Sequence, residues 1–469
     1  MISNSYFFVG VAGVGMSALA QFLAGKGVWC GGSDRRFASD EGEKVKKQLE
    51  EAGVKCFLQD GSGIAGVGAR RALPCTVIVS TAIEAGNPDT EAAQKLNIPI
   101  MHRSELLAKI TQENSTIAVS GTSGKSTVVG LIWHILNECK KEPSLLSGAG
   151  LSVLEEQGKI GNAVAGNGWL VAEADESDGT LVRYSPKIGI ILNIDRDHKE
   201  ISELETLFEE FATNVRRADG TLIINGSHPL AAKLADSQTL LFGWDSFDVQ
   251  GLDYKANGIS SEFKVRYKNE CADFYLPLPG KHNAENALAA VLACTVAGVS
   301  LKECANALRT WRGIHRRSQI YECKNGIVLV DDYAHNPAKI AASIRSCQNF
   351  AKGKLFAWFQ PHGFGPTKFL KDELVEEISK ALRPNDEMYF SSIYYAGGTA
   401  DRNFDSYILS EALAKKGSNA NFIPNREDYL KEITNRAKPG DVILLMGARD
   451  PSLADFAKNA FALLNTSQC

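Results

Sequence analysis

Three shortages in this chain each remove a class of protein. No stretch approaches the roughly 18 consecutive apolar residues that a membrane-crossing helix needs, and the N-terminus runs straight into a strand without a basic lead-in. Positive charge is not in excess: 51 Lys and Arg stand against 55 Asp and Glu, a formal charge of -4, so the basic stripe of a nucleic-acid binder is missing. Paired cysteines are missing too. Ten cysteines lie scattered from Cys30 to Cys469 with no Cys-x-x-Cys, which argues against a disulfide framework or a zinc knuckle and for reduced, mostly buried thiols. There is no internal repeat, low-complexity tract or long linker. A cytoplasmic enzyme that touches neither membrane nor nucleic acid is the expectation, as a monomer or homodimer.

What is present fits that class. At 469 residues the chain is too long for one ordinary domain, and a length of this order predicts about three. Apolar residues at 44% and charged residues at 23% let each domain bury a core.

The most informative stretch is Ala118-Val119-Ser120-Gly121-Thr122-Ser123-Gly124-Lys125-Ser126-Thr127-Val128. A β-rich approach leads into two glycines around a small polar pair, and Lys125 and Ser126 then open a helix. Such a loop lets backbone N–H groups curl around an anion, while the helix N-terminus, the lysine charge and a Mg²⁺-ligating hydroxyl add to the site. The pattern is not a full P-loop, because Val119 stands where its first glycine is expected.

Strand and helix alternate along the whole chain, which predicts α/β architecture with parallel sheets. Tyr6 to Val11 reads as a buried strand, followed by Gly10, Gly13 and Gly15 at a turn and a helix from Met16 to Lys26. That is a Rossmann-like opening, and Asp34 comes near the end of the second strand, where a ribose-reading acid would sit. Further strands are expected around 54–58, 76–80 and 99–101. A second unit starts with the strand 115–119; two more apolar strands, 169–172 and 188–193, run into Glu173-Ala174-Asp175-Glu176-Ser177-Asp178 and Asp195-Arg196-Asp197-His198. In an open α/β sheet ligands gather beyond the carboxyl ends of strands, so these acids and His198 are expected near Lys125. His282-Asn283-Ala284-Glu285-Asn286 opens a small-residue helix, and 312–317 is a basic cluster. A third unit begins near Ser318, with strands 327–331, 354–359 and 441–446. The expected domains are 1–112, 113–317 and 318–469: a Rossmann-like domain in which a nucleotide diphosphate group is plausible, a P-loop domain and a second Rossmann-like domain.

The phosphate loop, the acidic run from Glu173, the His-Asn-x-x-Asn segment and Asp331-Asp332-Tyr333 together resemble the Mur ligase family. Gly13-Val14-Gly15-Met16-Ser17, Ser80-Thr81-Ala82-Ile83 with Asn87-Pro88, and Gln360-Pro361-His362 extend the likeness over most of the chain. The branch it looks most like is the one that adds L-alanine to UDP-N-acetylmuramate in peptidoglycan precursor synthesis. The resemblance implies an ATP-dependent ligase that works through an acyl phosphate, with Mg²⁺, two ions by the family pattern, or Mn²⁺. By the same pattern Gly121, Thr122, Ser123, Gly124, Lys125, Ser126 and Thr127 cradle ATP. Ser126, Glu173 and His198 hold metal, His282, Asn283 and Asn286 meet the adenine, Asp331 meets the ribose, and Arg316 or Arg317 clamps the γ-phosphate. Gly13, Gly15, Met16, Ser17, Asp34, Ser80, Thr81, Ala82 and Asn87 fall to the UDP-sugar. His335, Asn336 and His362 fall to the amino acid, and Arg449, which departs from the pattern, is expected there in compensation for a lost arginine. Some Mur ligases carry a lysine shortly after the equivalent of His198; none lies between Glu200 and Asn214, as in the alanine-adding branch.

The chain also departs from that branch. Ser123 and Ser126 replace histidine and threonine in the loop, and Lys199-Glu200-Ile201-Ser202 replaces Met-Asp-x-Tyr. The usual Gln-Pro-His-Arg-x-x-Arg-Thr reads Gln360-Pro361-His362-Gly363-Phe364-Gly365-Pro366-Thr367, losing two guanidinium groups. His335-Asn336-Pro337, Ala396-Gly397-Gly398 and Gly447-Ala448-Arg449 stand for His-His-Pro, Ala-Gly-Glu and Gly-Ala-Gly. These changes leave three readings open: L-alanine as acceptor, another acceptor such as a recycled peptide or different amino acid, or a non-catalytic nucleotide-binding relative. The N-terminal glycines alone would also suit an NAD-dependent dehydrogenase, which has no need of the phosphate loop.

Overall fold

A computed structural model describes residues 5–69, 75–176, 179–195, 200–395 and 403–466. His198 and the segment 396–398 lie outside the described residues, as do Ser177 and Asp178. Three sheets carry the chain. The first is wholly parallel, in the spatial order Val54–Phe57, Trp29–Ser33, Ser5–Val9, Cys75–Val79, Ile100–His102. The order reverses at Ser5–Val9, directly before the glycine turn and the helix Val14–Gly25.

In the second sheet the parallel strands Thr221–Asn225, Ile188–Ile191, Thr116–Ser120 and Leu170–Glu173 lie side by side. Thr116–Ser120 and Ile188–Ile191 are buried throughout, which is why they read as unbroken apolar runs. The sheet also contains three strands, Val249–Asn257, Ser260–Tyr267 and Glu270–Leu276, for which the sequence reading has no expectation. Their inner residues Phe263, Val265 and Phe274 alternate with exposed charged neighbours.

The third sheet runs Gln319–Glu322, Val328–Asp332, Val442–Gly447, Leu355–Gln360, Glu387–Phe390, Asn419–Phe422, with only the first strand antiparallel. Alternation along Leu355–Gln360 feeds two cores. Leu355, Ala357 and Phe359 pack with Ile340, Ile344 and Ile378 on one face, whereas Phe356 and Trp358 pack with Tyr429, Ile433 and Phe456 on the other. The sheet is therefore covered by helices on both faces, as a doubly wound fold requires.

The chain divides into two compact units, 1–255 with 261–312, and 313–469 with 256–260. The boundary expected near residue 112 parts two sheets but not two cores. Leu19 and Phe22 of the first helix share one cluster with Tyr6 and Phe8 and with Leu146, Leu170 and Ala172 of the second sheet. Asn162 stitches the same junction, donating through Nδ2 to Val14 O and Ser17 Oγ at 2.9 and 3.0 Å. Among the described residues every cysteine is a free thiol, and no helix is long and apolar enough to cross a membrane.

Candidate active site

The phosphate loop begins where a buried strand ends. Val119 is fully buried in that strand, which places the turn at Gly121 and accounts for the missing first glycine. Gly121 has φ 137° and Gly124 φ 86°, and a Cβ on Gly124 would meet Asn286 Oδ1 at 2.7 Å, so glycine is required there both for backbone and for space. The helix Lys125–Glu138 has no side-chain cap. Its first bonded amide is Val128 N to Gly124 O, which leaves the N–H groups of Lys125, Ser126 and Thr127 directed at the loop.

Asn193, at the end of the neighbouring strand, braces this loop. Its Oδ1 accepts from Thr122 Oγ1 at 2.9 Å and Ser123 N at 2.8 Å, and its Nδ2 donates to Ser123 O at 3.1 Å. Thr122 Oγ1 in turn accepts from Asp195 N at 3.0 Å. The sequence reading did not single out Asn193, and its only signal there is a place at the carboxyl end of an apolar strand.

Lys125 Nζ donates to Gly121 O and to Glu176 Oε2, both at 2.7 Å, with Asp175 Oδ1 3.7 Å away. Burial works against the ammonium, but Glu176, Asp175 and Glu173 outweigh it and hold Lys125 above its ordinary value. Of the acidic run, Glu173, Asp175 and Glu176 thus do gather at Lys125. Glu173 is fixed through Oε1, which accepts from Ser147 Oγ at 3.1 Å and Gly148 N at 2.7 Å.

A cavity of about 90 Å³ opens beside Glu173 and Asp175, and its other walls include Gly15, Arg103, Gly148 and Tyr184. A Cβ on Gly15 would lie 2.7 Å from Arg103 Nη1, so the absence of a side chain admits the guanidinium to the start of the first helix. Arg103 and Tyr184 are not among the residues expected from sequence.

Several expected residues have structural tasks. Asp34 is buried, taking Ala12 N on one oxygen and Arg36 N on the other. Met16 and Ser17 are buried on the packing side of their helix, so Met16 has only its backbone N–H to offer an anion, while Ser17 N already donates to Gly13 O at 2.8 Å. Asn87 caps the helix Pro88–Lys95, while Ser80 is half-buried and Thr81 and Ala82 are exposed in the loop before it. Asn283 Nδ2 donates to Pro279 O at 2.8 Å, and His282 packs under Gly280, which leaves Asn286 as the member of that segment lying against the phosphate loop.

In the second unit Arg316 and Asp331 are buried together: Arg316 Nε lies 3.1 and 3.2 Å from the two Asp331 oxygens, and Nη2 donates to Gly447 O at 2.8 Å. The pair leaves Arg317, 5.0 Å above the Tyr333 ring, as the less committed of the two arginines. His335 and His362 come together with ring centroids 5.7 Å apart. Asn336 caps the helix Pro337–Gln348 through Lys339 N, so its side-chain oxygen is engaged.

Comparison with known proteins bears on all three sheets. The Mur ligase catalytic-domain, middle-domain and glutamate-ligase-domain descriptions match residues 5–115, 119–294 and 316–449 respectively. UDP-N-acetylmuramate–L-alanine ligase of Acaryochloris marina is 33% identical over 467 residues, covering 94% of this chain and 92% of that protein. Among solved structures, the UDP-N-acetylmuramate–alanine ligase of Thermotoga maritima aligns with a TM-score of 0.78 at 24% identity over 98% of both chains. A murein peptide ligase of Psychrobacter arcticus aligns with a TM-score of 0.67 at 21% identity over 99% of both. These two structural likenesses speak to the fold; the sequence relative, alike over nearly its whole length, goes further. With three matched segments in chain order around one phosphate loop, the chain belongs to the Mur ligase family.

Proposed function

We propose that this protein joins L-alanine to the lactyl carboxylate of UDP-N-acetylmuramate at the expense of ATP, releasing ADP and phosphate, as a cytoplasmic step of peptidoglycan precursor synthesis. A carboxylate is a poor acyl donor because its charge repels nucleophiles and oxide is a bad leaving group. Transfer of the γ-phosphoryl group to it gives an acyl phosphate, from which the amine displaces phosphate. The loop amides and Lys125 stabilise charge on the transferring group. To do so Lys125 exchanges Glu176 for phosphate oxygens. Of the arginine pair, Arg317 is the candidate clamp for the γ-phosphate, since the Arg316 guanidinium is committed to Asp331.

The donor set suits a divalent cation of the Mg²⁺ type. Glu173 is anchored through one oxygen, with the other directed at Gly148, and the Ser126 hydroxyl stands at the loop's end. Bound there, Mg²⁺ would offset phosphate charge. Ser126 and Glu173 would hold it, and His198 is the third expected ligand.

The observation that carries the reading is the shared cavity. Gly15 and Arg103, beside the helix expected to take the UDP-sugar, face Glu173 and Asp175, which neighbour Lys125. A sugar-nucleotide carboxylate seated there would lie next to the phosphate loop. The changed segment 363–367 favours a second reading, a peptide or other amine as acceptor on the same sugar nucleotide. Phosphate release with ATP, Mg²⁺ and UDP-N-acetylmuramate should be stimulated by L-alanine over glycine, L-serine and the recycled tripeptide, with product mass confirming the bond. Turnover with the tripeptide alone would establish the second reading. Full activity in Lys125→Ala would reject ATP-dependent ligation altogether.

A further inference from the structure

The amine acceptor needs a cation for its α-carboxylate, and the two arginines usual after Gln-Pro-His are replaced here by Gly363 and Pro366. The structure offers a substitute at the same edge of the third sheet. Val328–Asp332, Val442–Gly447 and Leu355–Gln360 are adjacent and parallel, so the residues after each strand gather at one edge: Tyr333 and His335, Arg449, and His362. Arg449 lies within reach of Tyr333, its amide 3.4 Å from the phenol oxygen. His335 and His362 lie ring to ring at 5.7 Å.

Three features single out Arg449. First, its backbone sits at φ 59°, in the left-handed region that a branched or long side chain enters at a cost and glycine enters freely. An arginine in a position shaped for glycine is a local conflict with no packing return, because the residue is exposed. Second, the other guanidinium groups nearby have tasks already, Arg317 standing 5.0 Å over the Tyr333 ring and being the one assigned above to the γ-phosphate. Arg316 is buried on Asp331, and Arg426 is tied to Asp450, Gln360 and Ser452. Among the described residues no carboxylate pairs with Arg449. Third, its charge reaches His362. Burial, then His335 and Arg449, push the His362 imidazole down to about 4, so at neutral pH the ring is uncharged. Its Nδ1 is buried with no partner among the described residues.

We propose that Arg449 recognises the α-carboxylate of the incoming amino acid, replacing the two arginines lost from 363–367, with His362 at the same sheet edge to accept a hydrogen bond from the α-ammonium. The acceptor is then read as a zwitterion, carboxylate on a guanidinium and ammonium on a neutral imidazole. The inference rests on the reading that this unit binds the amine-bearing substrate, and it assigns the contact that selects a free α-amino acid.

The test compares L-alanine with L-alaninamide, which keeps the amine and lacks the carboxylate charge, in the full chain and in Arg449→Gly, Arg449→Ala and Arg449→Lys. Arg449→Gly and Arg449→Ala should raise KM for L-alanine about 10- to 100-fold, leaving KM for ATP and UDP-N-acetylmuramate and kcat/KM for L-alaninamide within about twofold. Arg449→Lys, which keeps the charge but not the two-point fork, should fall between. Glycine relieves the backbone at 449, so an unchanged or higher melting temperature for Arg449→Gly separates a binding loss from a folding loss. An unchanged KM for L-alanine in Arg449→Gly, or equal losses with L-alanine and its amide, would overturn the assignment. If the wild-type protein ignores L-alanine and uses another amine, the functional reading fails on its own. The same comparison, between that acceptor and its carboxylate-blocked form, then decides the role of Arg449.

Discussion

Asn193 shows how much of the site depends on a side chain that touches no substrate in the proposed mechanism. Three hydrogen bonds fix Thr122 and Ser123 to it, and with them the direction of the loop amides. Asn193→Ala removes all three while leaving Lys125 and Glu173 in place. The expected outcome is a rise of about tenfold in KM for ATP, since each such bond is worth about 1 kcal/mol and the loop would have to order itself on binding. Steady-state kinetics with ATP varied check it, and an unchanged KM would mean that the loop holds its shape without this brace. Legibility at this scale was uneven. Lys125, Glu173 and Gly124 are identifiable because their chemistry is rare at that spacing. Asn193 is an ordinary residue at a strand end, and Arg103 is an ordinary first-turn arginine; only the fold brings them to the site.

Elements were more legible than residues, for a physical reason. A parallel strand buried on both faces must be a short unbroken apolar run, so Ile188–Ile191 and Thr116–Ser120 announce themselves. The strands between Val249 and Leu276 do not, because one face is solvated and their apolar residues are interleaved with charges. The Asn257-Gly258 pair at the first turn was the available hairpin signal. Connections carry their own stability. In the turn before Glu387–Phe390, Asp386 is buried and accepts from Arg383, from Leu355 N and from Gln348 Nε2. Burial alone would raise its carboxyl, but these bonds prevail and hold it below its ordinary 3.8. A depressed folded pKa means the stabilisation is present above pH 3.8 and is lost as pH falls through the lower folded value. Asp386→Asn should therefore cost about 2 kcal/mol at pH 7, and the gap from wild type should narrow as pH is lowered below 3.8. Urea titrations at pH 7 and pH 3 measure both; an equal gap at the two would show that the carboxylate charge contributes nothing.

For the whole molecule, sequence reasoning divides the chain by sheets, whereas contacts divide it by cores. The alternation of strand and helix restarts near 112 and near 318, so three segments are readable. That the first helix packs on the second sheet is not, because Leu19 and Phe22 look like any other apolar helix positions. The shared cluster and the Asn162 bonds make residues 1–112 and the phosphate-loop sheet one cooperative body. The third sheet has a core on each face. Calorimetry of the full chain should then give two transitions rather than three. UDP-N-acetylmuramate, whose expected contacts all fall within the first unit, should raise one transition and leave the other in place. The unmoved transition should coincide with that of a fragment spanning 313–469. Three resolved transitions would mean that the shared cluster does not couple the first two sheets. A single transition raised as a whole by the sugar nucleotide would mean that the two units melt together.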